Sequence, residues 1–233
     1  MAAKITIAVD GHSSTGKSTL ARQLAQALGY SYVDSGAMYR CVTLYALTSQ
    51  LVGEGFFKQH ELLKRLSQIT IRFVFNKGDK KNHAILNGED VESRIRGMEV
   101  SQYVSQIAAI PEVRKFLVAQ QKAMGKNKGV VMDGRDIGTV VFPDAELKIF
   151  MTASAEIRAK RRYKELQQAG KEVPTFEEVL ANVKQRDHED STRQDSPLRV
   201  AADAKVLDNS DLNREDQFEI ALNWAKEAID KAG

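Results

Sequence analysis

The chain has 233 residues, 42% of them hydrophobic and 28% charged. At ~150 residues per domain this is near one and a half domains, and the composition excludes a wholly disordered chain, a collagen-like chain and a membrane bundle. Its 34 basic and 31 acidic residues leave a formal charge of +3, too small an excess to mark a nucleic-acid binder without a concentrated patch.

Along the chain, the apolar run 5–9 reads as a buried parallel strand. Residues 17–28 read as a helix stopped by Gly29, 30–33 as a second strand and 37–51 as another helix. This alternation predicts an α/β fold with a parallel sheet. The pattern then changes. Ile69-Thr70-Ile71-Arg72-Phe73-Val74-Phe75 is β-rich, 76–82 is polar and turn-like, 83–86 returns as a strand and 87–90 reads as another turn. Residues 55–97 are therefore expected to form a small antiparallel insert in a core made of 1–54 and 98–233. Helices follow at 99–109 and 112–124, with Pro111 suited to a first turn. Short apolar strands are predicted at 129–132 and 147–151. Two helices at 155–168 and 175–191, joined by 168–174, form a hairpin. A last strand at 205–207 and a last helix at 213–231 complete the chain.

No apolar stretch approaches the ~20 residues needed to cross a bilayer, and the N-terminal run lacks a cleavage-type region. Cys41 is the lone cysteine, so an intrachain disulfide framework is impossible and a reducing, cytoplasmic compartment is expected.

Gly11-His12-Ser13-Ser14-Thr15-Gly16-Lys17-Ser18 fits G-x-x-x-x-G-K-[ST] at every fixed position, with a strand before it and a helix after it. Backbone N–H groups of such a loop turn around phosphate oxygens, helped by the positive end of the helix dipole. Lys17 is expected to reach the β- and γ-phosphates and Ser18 to hold Mg²⁺. Gly11, His12, Ser13, Ser14, Thr15, Gly16, Lys17, Ser18 and Thr19 are thus the expected ATP contacts. Asn76-Lys77-Gly78-Asp79 matches the guanine-reading N-K-x-D motif, but a strand returns at His83, so it reads as a hairpin loop.

Two further segments sit at the carboxyl ends of strands, where α/β sheets place ligands. In Asp34-Ser35-Gly36-Ala37-Met38-Tyr39-Arg40, Asp34 or Ser35 suits a helix cap and Arg40 a phosphate donor. In Asp133-Gly134-Arg135-Asp136-Ile137-Gly138, Asp133 suits water-mediated contact with Mg²⁺, Arg135 a phosphate, and Asp136 an amino or hydroxyl donor. Within 155–191, Arg158, Arg161 and Arg162 share one helical face, and Arg186, Asp190 and Arg193 another. A solvated ion-pair face has the same pattern. Beside a phosphate loop, an arginine-rich hairpin suits phosphoryl transfer, which depends on charge neutralisation and alignment. His12, His60, His83 and His188 show no metal-ligand spacing. Cys41 reads as a buried small residue and Trp224 as core.

Taken together, the segments 11–18, 34–40, Val104-Ser105-Gln106-Ile107-Ala108-Ala109, 133–145, 186–193 and Ala201-Ala202-Asp203-Ala204 resemble the bacterial cytidylate kinase family over essentially the whole chain. The resemblance implies a nucleoside monophosphate kinase fold: a P-loop NTPase-type parallel five-stranded core, an NMP-binding insert at 55–97 and a helical lid within about 155–191. It implies transfer of the ATP γ-phosphate to CMP or dCMP with Mg²⁺, by a cytoplasmic monomer without nucleic-acid or membrane partners. It further implies that Ser105, Arg114 and Asp136 read cytosine, that Ser35, Arg40, Arg135, Arg186, Asp190 and Arg193 hold the acceptor's phosphate and sugar, and that Arg158 and Arg161 meet ATP. Lys17, Arg135, Arg162 and Arg186 are the expected catalytic cations. The loop interior His12-Ser13-Ser14-Thr15 departs from the family's more usual proline and small residues.

Cytosine presents an N4 amino donor and N3 and O2 acceptors, which complement an aspartate and an arginine. Uracil would set O4 against Asp136, so UMP should be rejected. The alternatives are another small-molecule P-loop kinase and an NTP-dependent switch, the latter supported only by Asn76-Lys77-Gly78-Asp79.

Overall fold

The computed structural model describes residues 3–79, 81–168 and 174–233. It divides into two compact units, Met1–Tyr32 with Gly125–Gly233, and Val33–Met124.

The first unit is built on a five-stranded parallel sheet in the order β10-β9-β1-β8-β2. Its strands are β1 (Thr6–Gly11), β2 (Ser31–Asp34), β8 (Val130–Gly134), β9 (Leu147–Thr152) and β10 (Lys205–Asp208). Every residue of β1 is buried, as a central parallel strand covered on both faces requires. It pairs with β8 from Thr6↔Val130 to Asp10↔Gly134 and with β9 from Ile7↔Leu147 to Gly11↔Met151. The chain leaves this unit within β2, whose Ser31 amide donates to the Gly129 carbonyl at 2.9 Å.

Helix α1 (Lys17–Leu28) follows β1 and ends on Gly29 in the left-handed region, its N–H returning to Ala25 and Gln26, the stop read from the sequence. Helix α9 (Arg214–Ala232) starts on Asn213, whose side chain accepts from Glu215 N and Asp216 N. Leu20, Leu24, Ala221 and Ala225 pack with Ile7 and Ile149 into one core. Helices α7 (Ala155–Gln168) and α8 (Phe176–Thr192) have a small core of their own at Ala159, Val179 and Val183. Helix α8 opens with a full capping box between Thr175 and Glu178. Residues 169–173 of the expected connection lie outside the described residues.

The second unit holds helix α2 (Ser35–Thr48), β3 (Val52–Gly53) with β4 (Phe56–Phe57), α3 (Gln59–Arg65), the sheet β5 (Ile71–Asn76), β6 (Lys81–Leu86) and β7 (Glu89–Asp90), then α4 (Glu92–Ile95), α5 (Met98–Ala108) and α6 (Pro111–Met124). Strands β5 and β6 pair antiparallel from Ile71↔Leu86 to Asn76↔Lys81. This register makes Asn76-Lys77-Gly78-Asp79 part of a hairpin turn, in which Asn76 Oδ1 accepts from Gly78 N at 2.8 Å. Three expectations need correction, the first being the turn 76–82, whose Asn76, Lys81 and Asn82 already pair as strand. Helix α2 stops at Thr48, because Gln50 takes φ 55 and the Leu51 amide returns to Ala46 at 2.8 Å. The expected turn 87–90 is confined to Asn87 and Gly88, both left-handed, and Glu89 and Asp90 already pair with Leu86 and Ile85 as a strand. Among the described residues, no helix is long and apolar enough to cross a membrane.

Candidate active site

The phosphate loop begins where β1 ends. Gly11 has φ +148, and a Cβ there would stand 2.1 Å from the Met151 carbonyl oxygen, so only glycine keeps β1 paired with β9 at this point. Ser14 and Gly16 are also left-handed, at φ 59 and 91, and successive turns of this kind bring amides around an anion. Ser13 Oγ is buried in the loop and has no hydrogen-bond partner among the described residues. Lys17 is 6% exposed, and its ammonium donates to the His12 carbonyl at 2.7 Å. Burial pushes its pKa down to about 7, Arg135 adds to that, and Asp133, Asp190 and Asp10 oppose it. Ser18 Oγ donates to Asp133 Oδ2 at 2.9 Å, and the Tyr32 hydroxyl donates to Oδ1 at 2.7 Å. The hydroxyl and the carboxylate expected to serve one cation are thus already adjacent. Thr19 lies in the first turn of α1, its amide donating to the Gly16 carbonyl at 3.1 Å.

The hairpin arginines divide. Arg158 is buried and turns inward. Its Nε donates to the Ala153 carbonyl at 2.9 Å, its Nη1 lies 3.4 Å from the Ser13 carbonyl, and both terminal nitrogens meet Asp187 at 2.8 and 2.5 Å. Arg161 donates to Asn209 Oδ1 and to the Asn209 carbonyl at 3.0 and 2.8 Å, and approaches the Thr15 carbonyl at 3.4 Å. Arg162 is half-exposed and pairs with Glu165 at 3.2 Å.

Asp190 gathers the second cationic group. It accepts from Arg135 Nε at 2.7 Å and lies 3.6 Å from Arg193 Nη1. Burial would raise its pKa, but Arg135, Arg193 and Arg186 outweigh that and hold it below the usual carboxylate range. Arg193 is anchored through Nε to the Ser196 carbonyl at 2.8 Å. Arg186 is half-buried near Arg135, Asp190, Arg162 and Glu189. Burial and then Arg135 lower its pKa, and it makes no hydrogen bond or ion pair within the described residues. Asp136 is 4% exposed and precedes a one-turn π-helix, Ile137–Val141.

In the second unit, Asp34 caps α2 by accepting from Ala37 N at 2.9 Å and pairs with Arg96 at 2.8 Å. Ser35 is the buried first residue of α2. Arg40 donates to the Ile95 carbonyl at 3.0 Å and to Ser101 Oγ at 2.9 Å. Ser105 is exposed on α5. Arg114, 2% exposed, donates to the Ala108 carbonyl at 3.1 Å with its guanidinium 5.5 Å from the Tyr39 ring centroid.

Four residues at the site escaped sequence reasoning: Asp10, Tyr32, Asp187 and Asn209. Each acts on a partner far along the chain; Asn209, for example, donates to the Thr15 carbonyl at 2.8 Å, so no spacing rule reaches it. His12, read as filling a free loop position, packs edge-on to Phe150 and places Nδ1 3.1 Å from Asp187 Oδ1. Burial lowers its pKa against the pull of Asp187. Cys41 is buried, and desolvation pushes its thiol up to about 12. Trp224 packs on the main core.

The family described as Cytidylate kinase matches residues 7–227. A cytidylate kinase of Flavobacterium psychrophilum is 58% identical over 220 residues, covering 94% of this chain and 97% of the relative. Cytidylate kinases of Flavobacterium johnsoniae and Bacteroides fragilis are each 55% identical over 226 residues, covering 97% of this chain and 98% of theirs. With the phosphate loop, the arginine–aspartate group and the parallel sheet all present, the chain belongs to the cytidylate kinase family.

Proposed function

We propose that this chain transfers the γ-phosphoryl group of ATP to the phosphate of CMP or dCMP, using the residues described above. A phosphate oxygen of the acceptor bonds to the γ-phosphorus, the bond to the bridging oxygen breaks, and ADP leaves with that electron pair. An ionised phosphate is already nucleophilic, so no general base is required. The protein's share is alignment and charge stabilisation. The observation that carries this reading is the cluster of Arg135, Arg186 and Arg193 around Asp190. All three guanidinium groups bear on Asp190, and one of them, Arg135, stands close enough to Lys17 to lower its pKa. A phosphate dianion is the ligand that such a group of guanidinium donors fits.

In this reading Lys17 leaves the His12 carbonyl for the β- and γ-phosphate oxygens, while loop amides and Ser13 Oγ hold the same group. Arg135, Arg186 and Arg193, with Ser35 and Arg40, hold the acceptor's phosphate and sugar. Arg158, Arg161 and Arg162 belong to the lid, where they steady the donor and exclude water, a competing acceptor. Ser105, Arg114 and Asp136 read cytosine. Ser18 and Asp133 are hard oxygen donors, a set that fits Mg²⁺ held partly through waters and phosphate oxygens. When bound, the ion neutralises phosphate charge and orients the triphosphate. We assign the core to 1–54 and 98–233, the acceptor-binding insert to 55–97 and the lid to about 155–191. We place the protein in the cytoplasm as a monomer.

Steady-state kinetics of Arg186→Ala test the reading. Loss of a charged donor worth ~1.5–3 kcal/mol should raise the CMP KM and lower kcat, together by about tenfold or more, with the ATP KM little changed. Unchanged CMP kinetics would remove the phosphate-binding role of the cluster.

A further inference from the structure

A third carboxylate lies beside the phosphate loop, and the reaction as described does not use it. Asp10, the residue before Gly11, is 5% exposed. Its Oδ1 accepts from Ile137 N at 2.8 Å and its Oδ2 from Gly138 N at 2.7 Å. These are the two peptide N–H groups immediately after Asp136. They are also the first donors of a one-turn π-helix, whose early amides have no partner within the turn. The turn closes when Val140 and Val141 donate to the Asp136 carbonyl at 2.9 and 3.2 Å. Asp10 therefore caps this turn from a different strand, 127 residues away.

The cap is tight. A Cβ at Gly138 would stand 3.1 and 3.2 Å from Lys148 Cδ and Cγ and 3.3 Å from Asp10 Oδ2. Lys148, nearly buried on β9, in turn donates to the Pro143 carbonyl and to Asp203. The loop carrying Arg135 and Asp136 is thus gripped from β1 at the start of its turn and from β9 just beyond it. Burial of a carboxylate costs free energy unless its hydrogen bonds are made. Here two charge-assisted bonds are spent on holding one peptide segment.

We propose that Asp10 is a positioning residue for the acceptor: by fixing the two amides after Asp136, it sets where the Asp136 carboxylate and the Arg135 guanidinium stand. The inference rests on the reading of those two residues as acceptor-binding groups. In this proposal Asp10 acts through the Ile137 and Gly138 amides and not through a nucleotide contact of its own.

Asp10→Asn is nearly isosteric, yet it offers one acceptor oxygen and turns an amide N–H₂ toward the other backbone donor. The expected result is a rise of about tenfold or more in the CMP KM, an ATP KM within about twofold of wild type, and a smaller CMP-over-UMP preference in kcat/KM. Gly138→Ala, which crowds the same cap from the other side, should give the same split. It also keeps the test open if Asp10→Asn fails to fold. Equal changes in both KM values, or a lowered melting temperature with the CMP-over-UMP ratio untouched, would reduce Asp10 to a structural role and overturn the proposal. Wild-type turnover of CMP is the internal control, because its absence would refute the acceptor reading rather than the role of Asp10.

Discussion

Asp187 on α8 takes both terminal nitrogens of Arg158 on α7, at 2.8 and 2.5 Å, and stands 3.1 Å from the His12 ring. One carboxylate thus joins helices α7 and α8 to each other and both to the phosphate loop. The pair is largely sheltered, its side chains 4% and 20% exposed. The interaction explains why an arginine that resembles an ATP ligand in sequence is turned away from solvent.

Arg158→Met should therefore act first on stability. Removing one partner of a sheltered ion pair leaves the other uncompensated, at a cost toward the lower end of about 3–5 kcal/mol. Urea unfolding measures this directly. A variant within about 0.5 kcal/mol of wild type, the usual range for surface substitutions, would show that Arg158 is not a strut.

Lys17→Met should separate activity from folding. Loss of one transition-state donor lowers kcat by about 10²–10³ or more. The unfolding midpoint should hold or rise, because burial already disfavours the ammonium, whose pKa falls to about 7. Full activity in this variant would remove the phosphate-loop assignment.

The β5–β6 hairpin should respond to pH through His83. Its ring lies 2.8 Å from Asp79 and 2.6 Å from Asp90, and these two carboxylates raise its pKa above 6.5. Because the folded value lies above the unfolded one, the stabilisation is fully present below about pH 6.5 and fades as pH rises through the folded pKa. NMR titration of the ring and amide exchange across 71–86 should both follow this, and His83→Gln should flatten the exchange profile. A ring titrating at or below 6.5 would contradict the arrangement.

Much of the first unit is legible in the sequence because its signals are local. Gly11, Gly16, Lys17 and Ser18 form one contiguous motif, Gly29 stops α1, and Asn213 caps α9. Helices α7 and α8 lie within one residue of the expected 155–168 and 175–191. In the second unit local signals place the β5–β6 hairpin, α5 and α6 but fail elsewhere. Helix α2 ends without glycine or proline, through a left-handed Gln50, so nothing in the residues from 37 to 51 announces its stop. Strands β3, β4 and β7 have two residues each, too few to display a period.

The site divides in the same way. The arginines of α7 and α8 are recognisable by their spacing, but whether each faces a ligand or the protein is decided by tertiary partners. Asp187 and Asn209 claim Arg158 and Arg161, whereas Arg186 keeps its donors. Asp10 gives no sequence signal at all, because its partners are backbone amides 127 and 128 residues away.

The most direct test of the account is a coupled ADP-release assay with ATP and Mg²⁺ against CMP, dCMP, UMP, AMP, GMP and shikimate. Turnover should be confined to CMP and dCMP, with kcat/KM for UMP lower by about 10²-fold or more, since uracil would bury an acceptor against Asp136. Comparable efficiency with UMP would contradict the assigned cytosine contacts, and folded protein with no acceptor-dependent turnover would contradict the kinase reading itself.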